Sequence, residues 1–316
     1  MANRPITREQ WKKALDELPD GPKIPAFYFA HGQPLLVWPD SAGPPAFPAD
    51  VQAPKGPLVQ FLKDFGPALL SKYKPKAIVV FSAHWETEGE TLVTDYGDED
   101  NSNPLLYDYF GFPRALYTEV KFSSHGNSAL AHKVVDLFRK AGIRARTSPK
   151  TEARGQDGRG FSGPGFDHGV FVPFIHMFGP VFNDIPIIQA SIDEGLDPRK
   201  EWVLGKALES LRSEGVLILA GGLPVHTFRE PASFSERTAR QPFKDWCSAI
   251  LDAADVQDPT KRQEALYALT KHPGFRLSNP REEHFIPMYV AAGAGEQGGS
   301  KILAALYGAP TIAFGI

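Results

Sequence analysis

Lys76-Ala-Ile-Val-Val-Phe-Ser-Ala-His-Trp85 is the stretch on which the reading of this chain turns. Ile78, Val79, Val80 and Phe81 make a continuous apolar run, as strands covered on both faces do. The small residues Ser82 and Ala83 predict that the strand stops there, with His84 and Trp85 just beyond its end. Open α/β sheets take their ligands outside the carboxyl ends of the strands. An imidazole at that place reads either as a core histidine capping a strand or as part of a site.

The residues on the amino-terminal side extend the pattern. Leu58, Phe61, Leu62, Phe65, Leu69 and Leu70 recur at helical spacing, which predicts a helix leading into the 77–85 strand. Before it, residues 24–30 read as another buried strand, ending in His31-Gly32. This β–α–β order implies a right-handed parallel crossover and brings His31 and His84 out at the same sheet edge. Thr7, with Gln10 at its capping-box position, predicts a helix over 7–18. Residues 38–56 are Pro/Gly/Ala-rich and read as irregular surface.

On the carboxyl-terminal side, strands are expected at 91–96, 144–147, 185–192, 216–220 and 311–314. Helices are expected at 127–141, 170–178, 202–211 and 283–292, the last with His284 in its first turn. A further helical region, 241–271, breaks near Asp258-Pro259. The fold class is therefore α/β: three layers, with a mostly parallel central sheet flanked by helices. We expect a single catalytic domain over 1–316, with 1–23 as an N-terminal extension and 152–169 as a glycine-rich loop near the site.

Composition narrows the function classes. A net charge of −3 gives no electrostatic footprint for nucleic acid or an anionic membrane. The single cysteine, Cys247, excludes an intrachain disulfide and any Cys-rich zinc or iron–sulfur site. With Phe243, Trp246 and Ile250 at helical spacing around it, Cys247 reads as structural. Met1 to Lys23 lacks the apolar core of a signal peptide, and no run reaches membrane-spanning length. A cytoplasmic protein, monomer or small homo-oligomer, is expected.

Four of the nine histidines (His31, His84, His168 and His226) lie at the ends of buried elements or in glycine loops, and His284 lies at a helix start. His132 reads as solvated, His125 as a helix-entry cap, and His176 and His272 as structural. Neutral imidazole is the commonest metal ligand, and several together suit Fe(II) or Zn(II). The dipole of its helix disfavours an imidazolium at His168. The glycines of 152–169 lack the Gly-Lys-Ser/Thr of a phosphate loop; the segment reads as a lid over a pocket or as an insertion. The aromatic-rich residues 97–117 read as a satellite core or as a pocket wall for a flat ring.

Five motifs occur in one order: Phe29-Ala-His-Gly-Gln-Pro34, Phe81-Ser-Ala-His-Trp85, Gly165-Phe-Asp-His-Gly169, Gly221-Gly-Leu-Pro-Val-His226 and Leu277-Ser-Asn-Pro-Arg-Glu-Glu-His284-Phe-Ile-Pro287. Together they resemble the class III extradiol ring-cleavage dioxygenases (LigB-type), in particular the 4,5-DOPA dioxygenase-like branch. The Tyr107-Asp-Tyr-Phe-Gly-Phe-Pro113 stretch is similar to that branch as well. The resemblance spans residues 24–315.

It implies metal ligands at His31, His84 and His284, with His226 a nearby base that can serve as a fourth ligand. It implies that His168 contacts substrate or oxygen, and that Glu283 is an outer carboxylate where many class III enzymes use glutamate as a ligand. The implied cofactor is Fe(II), with Zn(II) possible at the same site, and the implied partners are a small catechol and O2. The implied reaction is ring opening to a semialdehyde, with Trp85 and the 107–117 aromatics around the ring. Two other classes stay open: a non-enzymatic interaction protein on the same scaffold, and a zinc hydrolase using Glu282 or Glu283 as base. Arg114, Arg154 and Arg159 are candidates to pair with a substrate carboxylate.

Overall fold

The apolar runs become the strands of one eight-stranded sheet in a computed structural model that describes residues 4–45, 50–154, 161 and 163–316. The strands are β1 (Ala26–Ala30), β2 (Ala77–Thr87), β3 (Thr91–Asp95), β4 (Ala145–Pro149), β5 (Ile187–Asp193), β6 (Val216–Gly222), β7 (Ser300–Leu306) and β8 (Ala309–Phe314). Their order is β4-β3-β5-β2-β6-β1-β8-β7. The central block β5-β2-β6-β1 is parallel throughout. Antiparallel pairs join β3 to β5, β1 to β8 and β7 to β8.

The helices are α1 (Arg8–Asp16), α2 (Pro57–Tyr73), α3 (Ala115–Thr118), α4 (Ser128–Lys140), α5 (His168–Phe178), α6 (Pro198–Lys206), α7 (Gln241–Ala254), α8 (Pro259–Ala268), α9 (Phe275–Ser278) and α10 (Pro287–Ala294). Strand alternation sends successive side chains into two separate cores. Phe27, Phe29, Ile78 and Val80 pack with Trp11, Phe61, Phe65 and Phe174 on one face. Tyr28, Val79, Phe81 and Ile218 pack with Val134, Trp202, Trp246 and Tyr289 on the other. The result is the expected three-layer arrangement. Thr7 caps α1 through the reciprocal contact with Gln10.

Two expectations are corrected, and one strand is added. β2 does not stop at Ser82: it continues to Thr87, with a register shift against β5 between Phe81 and Glu86. The last β2–β6 pair is Ser82 with Gly221, so His84 lies on an irregular stretch beyond the regular ladder. β1 and β2 run parallel, as the crossover implies, with β6 between them. The last long helix starts at Pro287 rather than 283, proline favouring the first helical position; His284 therefore sits in a turn. β7 was not anticipated, because its alanines and lysine carry little strand preference and it is held by antiparallel pairing with β8.

α6 buries an acid. Glu201 is fully buried, its Oε1 accepts from the Asp193 N–H at 2.7 Å, and its Oε2 has no hydrogen-bond partner among the described residues. Burial pushes its carboxyl well above the usual range, with Asp193 and Glu86 adding to the rise. The folded state thus keeps a proton that the unfolded chain releases near pH 4.5, so this group costs stability as pH rises above that value. Glu201→Gln keeps the acceptor and removes the ionisation. It is expected to unfold at a higher temperature than the native protein at neutral pH, with the gap closing as pH falls through the ordinary carboxyl range. Thermal unfolding followed across pH checks this, and a pH-independent gap would contradict it.

Candidate metal centre

The parallel register brings the sequence-distant histidines together. Phe29 on β1 and Ser82 on β2 both pair with Gly221 of β6, so the carboxyl ends of β1 and β2 are level. His31 leaves β1 through Gly32, whose φ of +73° suits glycine. The turn carrying His284 crosses the sheet end closely: Leu223 N–H donates to the His284 carbonyl at 2.8 Å. A Cβ on Gly222 would lie 2.3 Å from that same carbonyl oxygen, so glycine is what allows the approach. The ring centroids of His31, His84 and His284 are 5.1, 5.4 and 4.9 Å apart, pair by pair. All three residues are buried.

Hydrogen bonds at Nδ1 decide what these rings present to one another. His31 Nδ1–H donates to the Gly32 carbonyl at 2.6 Å, His84 Nδ1–H to Asp108 Oδ2 at 2.7 Å, and His284 Nδ1–H to Glu283 Oε1 at 2.9 Å. With Nδ1 donating, each neutral ring keeps a lone pair at Nε2. His31 Nε2 is buried without a hydrogen-bond partner among the described residues. The Nε2 atoms of His84 and His284 lie 3.0 Å apart. That is about the separation of two neighbouring nitrogens each roughly 2.1 Å from one ion. The ligand atoms of the three residues all fall within 4.8 Å of one another. Burial, with His168 nearby, lowers the His31 pKa to about 3, so its ring is neutral in ordinary buffers. Three oriented, convergent imidazole nitrogens fit a borderline divalent metal such as Fe(II) or Zn(II).

Asp108 is the residue that sequence reasoning missed. It is fully buried and accepts from His84 Nδ1 at 2.7 Å, from His168 Nδ1 at 2.8 Å and from the His168 backbone N–H at 2.7 Å. Burial alone would raise its carboxyl, yet His168 and His84 hold it well below the usual range. Its oxygens are thus engaged in orienting imidazoles, which makes it a support for the rings. The available signal was a lone carboxylate between Tyr107 and Tyr109, hidden in a stretch that reads as aromatic packing. The same contact adds an anion beside His168 that the helix-dipole argument left out.

His168 opens α5 and lies against His84, with centroids 3.9 Å apart. Asp167 locks the start of that helix: it caps the Gly169 N–H and accepts from Ser82 Oγ, Arg154 and Gln189. His226 is half-buried and stacks on His284, with centroids 3.4 Å apart and planes at 11°. It groups with Glu283 and His284, beside the three-nitrogen cluster. Glu283 Oε1 accepts from His284 Nδ1–H, on the far side of that ring from Nε2.

Other expectations need correction. Trp85 is fully buried, with the Arg154 guanidinium 4.5 Å from its ring and its N–H on the Arg154 carbonyl, so it offers no face to a substrate. Arg154 is itself buried and paired with Asp167, which removes it as a carboxylate binder. Arg114 is exposed, and Arg159 lies outside the described residues. Of the 107–117 aromatics, Tyr107, Tyr109, Phe112 and Tyr117 join the core on the Phe174 face of the sheet while Phe110 is exposed, and the Tyr107, Tyr109 and Tyr117 hydroxyls donate to the Val120, Leu116 and Tyr109 carbonyls. Of these rings Tyr109 reaches the site, edge-on to His168 at 5.7 Å. The lid reading falls largely on 155–160 and 162, outside the described residues. Asn127, rather than His125, caps α4. His132 is exposed, while His176 and His272 bond the backbone as structural residues. Among the described residues no helix is long and apolar enough to cross a membrane.

Known proteins resemble this chain in sequence and in fold. The chain is 42% identical over 307 residues to a 4,5-DOPA dioxygenase extradiol-like protein of Schizosaccharomyces pombe, covering 97% of each chain. It is 32% identical over 281 residues to a 4,5-DOPA dioxygenase extradiol of Beta vulgaris, covering 88% of this chain and 89% of that one. A solved structure of an uncharacterized Escherichia coli K12 protein shares the fold, with a TM-score of 0.63 at 24% identity over 93% of this chain and 100% of that one. Residues 25–315 match the family described as the catalytic LigB subunit of aromatic ring-opening dioxygenase, and the chain belongs to that family.

Proposed function

We propose that the protein is a non-haem, metal-dependent extradiol dioxygenase that opens a catechol-type ring with O2 to a semialdehyde. The observation that carries this reading is the convergence of three Nε2 lone pairs, from His31, His84 and His284, with two further imidazoles alongside. Names of the sequence relatives, 4,5-DOPA dioxygenase extradiol and extradiol-like, support it. His31, His84 and His284 would hold the ion, Fe(II) for activity, although Zn(II) suits the same donors. When bound, Fe(II) supplies the redox path between a ring diol and O2.

The remaining roles belong to side chains of this chain. His226, half-buried beside His284, takes the proton of a catechol hydroxyl, and imidazole is the side chain suited to that near neutrality. His168 is fixed through Nδ1 by Asp108, leaving Nε2 as the atom that gives or takes a proton at the reacting oxygen. Burial of the cluster keeps competing water from the rings.

The test is oxygen uptake by protein reconstituted anaerobically with Fe(II), across DOPA, protocatechuate, homoprotocatechuate and caffeate. Uptake with a yellow ring-opened product is expected for at least one of them. No uptake at full iron occupancy overturns the reading. Ester or amide hydrolysis by the zinc-loaded protein would replace it with the hydrolase.

A further inference from the structure

Glu86 lies two residues beyond His84 on β2, and Arg281 lies three residues before His284. The Glu86 side chain is 3% exposed, and Arg281 pairs with both of its carboxylate oxygens. The same guanidinium has Nη1 3.5 Å from Glu283 Oε2, while Glu283 Oε1 holds His284 Nδ1–H at 2.9 Å. One arginine thus joins the strand that carries His84 to the turn that carries His284. A buried carboxylate is stable only when paired, so the position of Glu86 dictates where the 281–284 turn docks. The planar fork of arginine fixes that docking in two directions, which a lysine does not.

His84 Nε2 on the strand and His284 Nε2 on the turn lie 3.0 Å apart, and the arginine clamp joins those same two segments. We infer that Arg281 is a positioning residue for the metal centre: by pairing with Glu86 it holds His84 and His284 at ligand spacing before a metal arrives. The inference rests on the reading of His31, His84 and His284 as ligands.

The experiment uses the full chain stripped of metal and titrated with Zn(II) against a chromophoric chelator, with the unfolding temperature of each apo variant recorded. Arg281→Met and Glu86→Gln are each expected to weaken Zn(II) binding by about 10-fold or more, the range for residues that orient ligands. Because the two residues act as one clamp, the double variant loses little beyond either single variant. Arg281→Lys keeps the charge without the fork and gives an intermediate loss; with Glu86→Gln it carries the test if Arg281→Met does not fold. A merely structural ion pair lowers the unfolding temperature and leaves Zn(II) affinity within about twofold of native, and that result overturns the inference. Losses that multiply in the double variant overturn it as well. If the native chain itself fails to bind Zn(II), the ligand reading falls and takes this inference with it; native binding that Arg281→Met leaves unchanged removes this inference alone.

Discussion

His84→Ala is expected to abolish metal retention, catechol-dependent oxygen uptake and metal-linked stabilisation together. The substitution removes one of three convergent nitrogens, and that one is central: its ring lies within 5.1 Å of the His31, His168 and His284 rings. Losing a ligand costs more than the roughly 10–100-fold in affinity that follows from losing a ligand's hydrogen-bond partner. A metal at 100 times its dissociation constant stabilises the native fold by about 2.7 kcal/mol, and the variant forfeits this. The apo fold is expected to survive. Asp108 keeps both N–H donors of His168, and removal of the imidazole relieves the close approach to His284 Nε2. Metal analysis and thermal unfolding with and without Fe(II) check the prediction. A variant that retains native metal content and the native metal-induced rise in unfolding temperature would remove His84 from the ligand set.

Asp108→Asn is expected to cost about 10–100-fold in metal affinity, although Asp108 is not one of the three proposed ligands. The carboxylate accepts three N–H groups, two of them Nδ1 protons of different imidazoles. An amide of the same shape has one accepting oxygen and one donating NH2 group. Whichever way it is turned, the NH2 meets an Nδ1–H. The ring so confronted must move its proton to Nε2, and if that ring is His84 the lone pair at the cluster is lost. Shape is conserved, so the loss reports the tautomer. The check is Zn(II) affinity together with the ¹⁵N chemical shifts of the His84 ring nitrogens in the apo protein. Native-like affinity with unchanged tautomers would mean that Asp108 serves folding alone.

Much of the architecture was legible locally. The apolar run of residues 78–81, the helical spacing of residues 58–70 and the Thr7–Gln10 cap are short-range patterns, and each became the expected element. One histidine at the end of a buried strand reads as a core residue as readily as a site; the histidines after β1 and in the 84 region stood out because the pattern recurs. What failed locally failed for physical reasons. β7 depends on pairing with β8 rather than on its own residues. The continuation of β2 through His84 depends on a register shift against β5. The fate of Trp85 depends on Arg154, sixty-nine positions away, whose carbonyl accepts its N–H.

By itself the sequence determined the α/β class, the order of the five histidine motifs and the candidate set His31, His84, His168, His226 and His284. Those are statements about residue type and near-neighbour pattern, which a linear chain displays directly. Only the tertiary structure decided which of these rings converge, which nitrogen each presents, and that Asp108, Glu283 and Arg281 stand behind them. A ring's tautomer is chosen by whatever accepts its other N–H, and across a folded sheet that acceptor can come from anywhere in the chain.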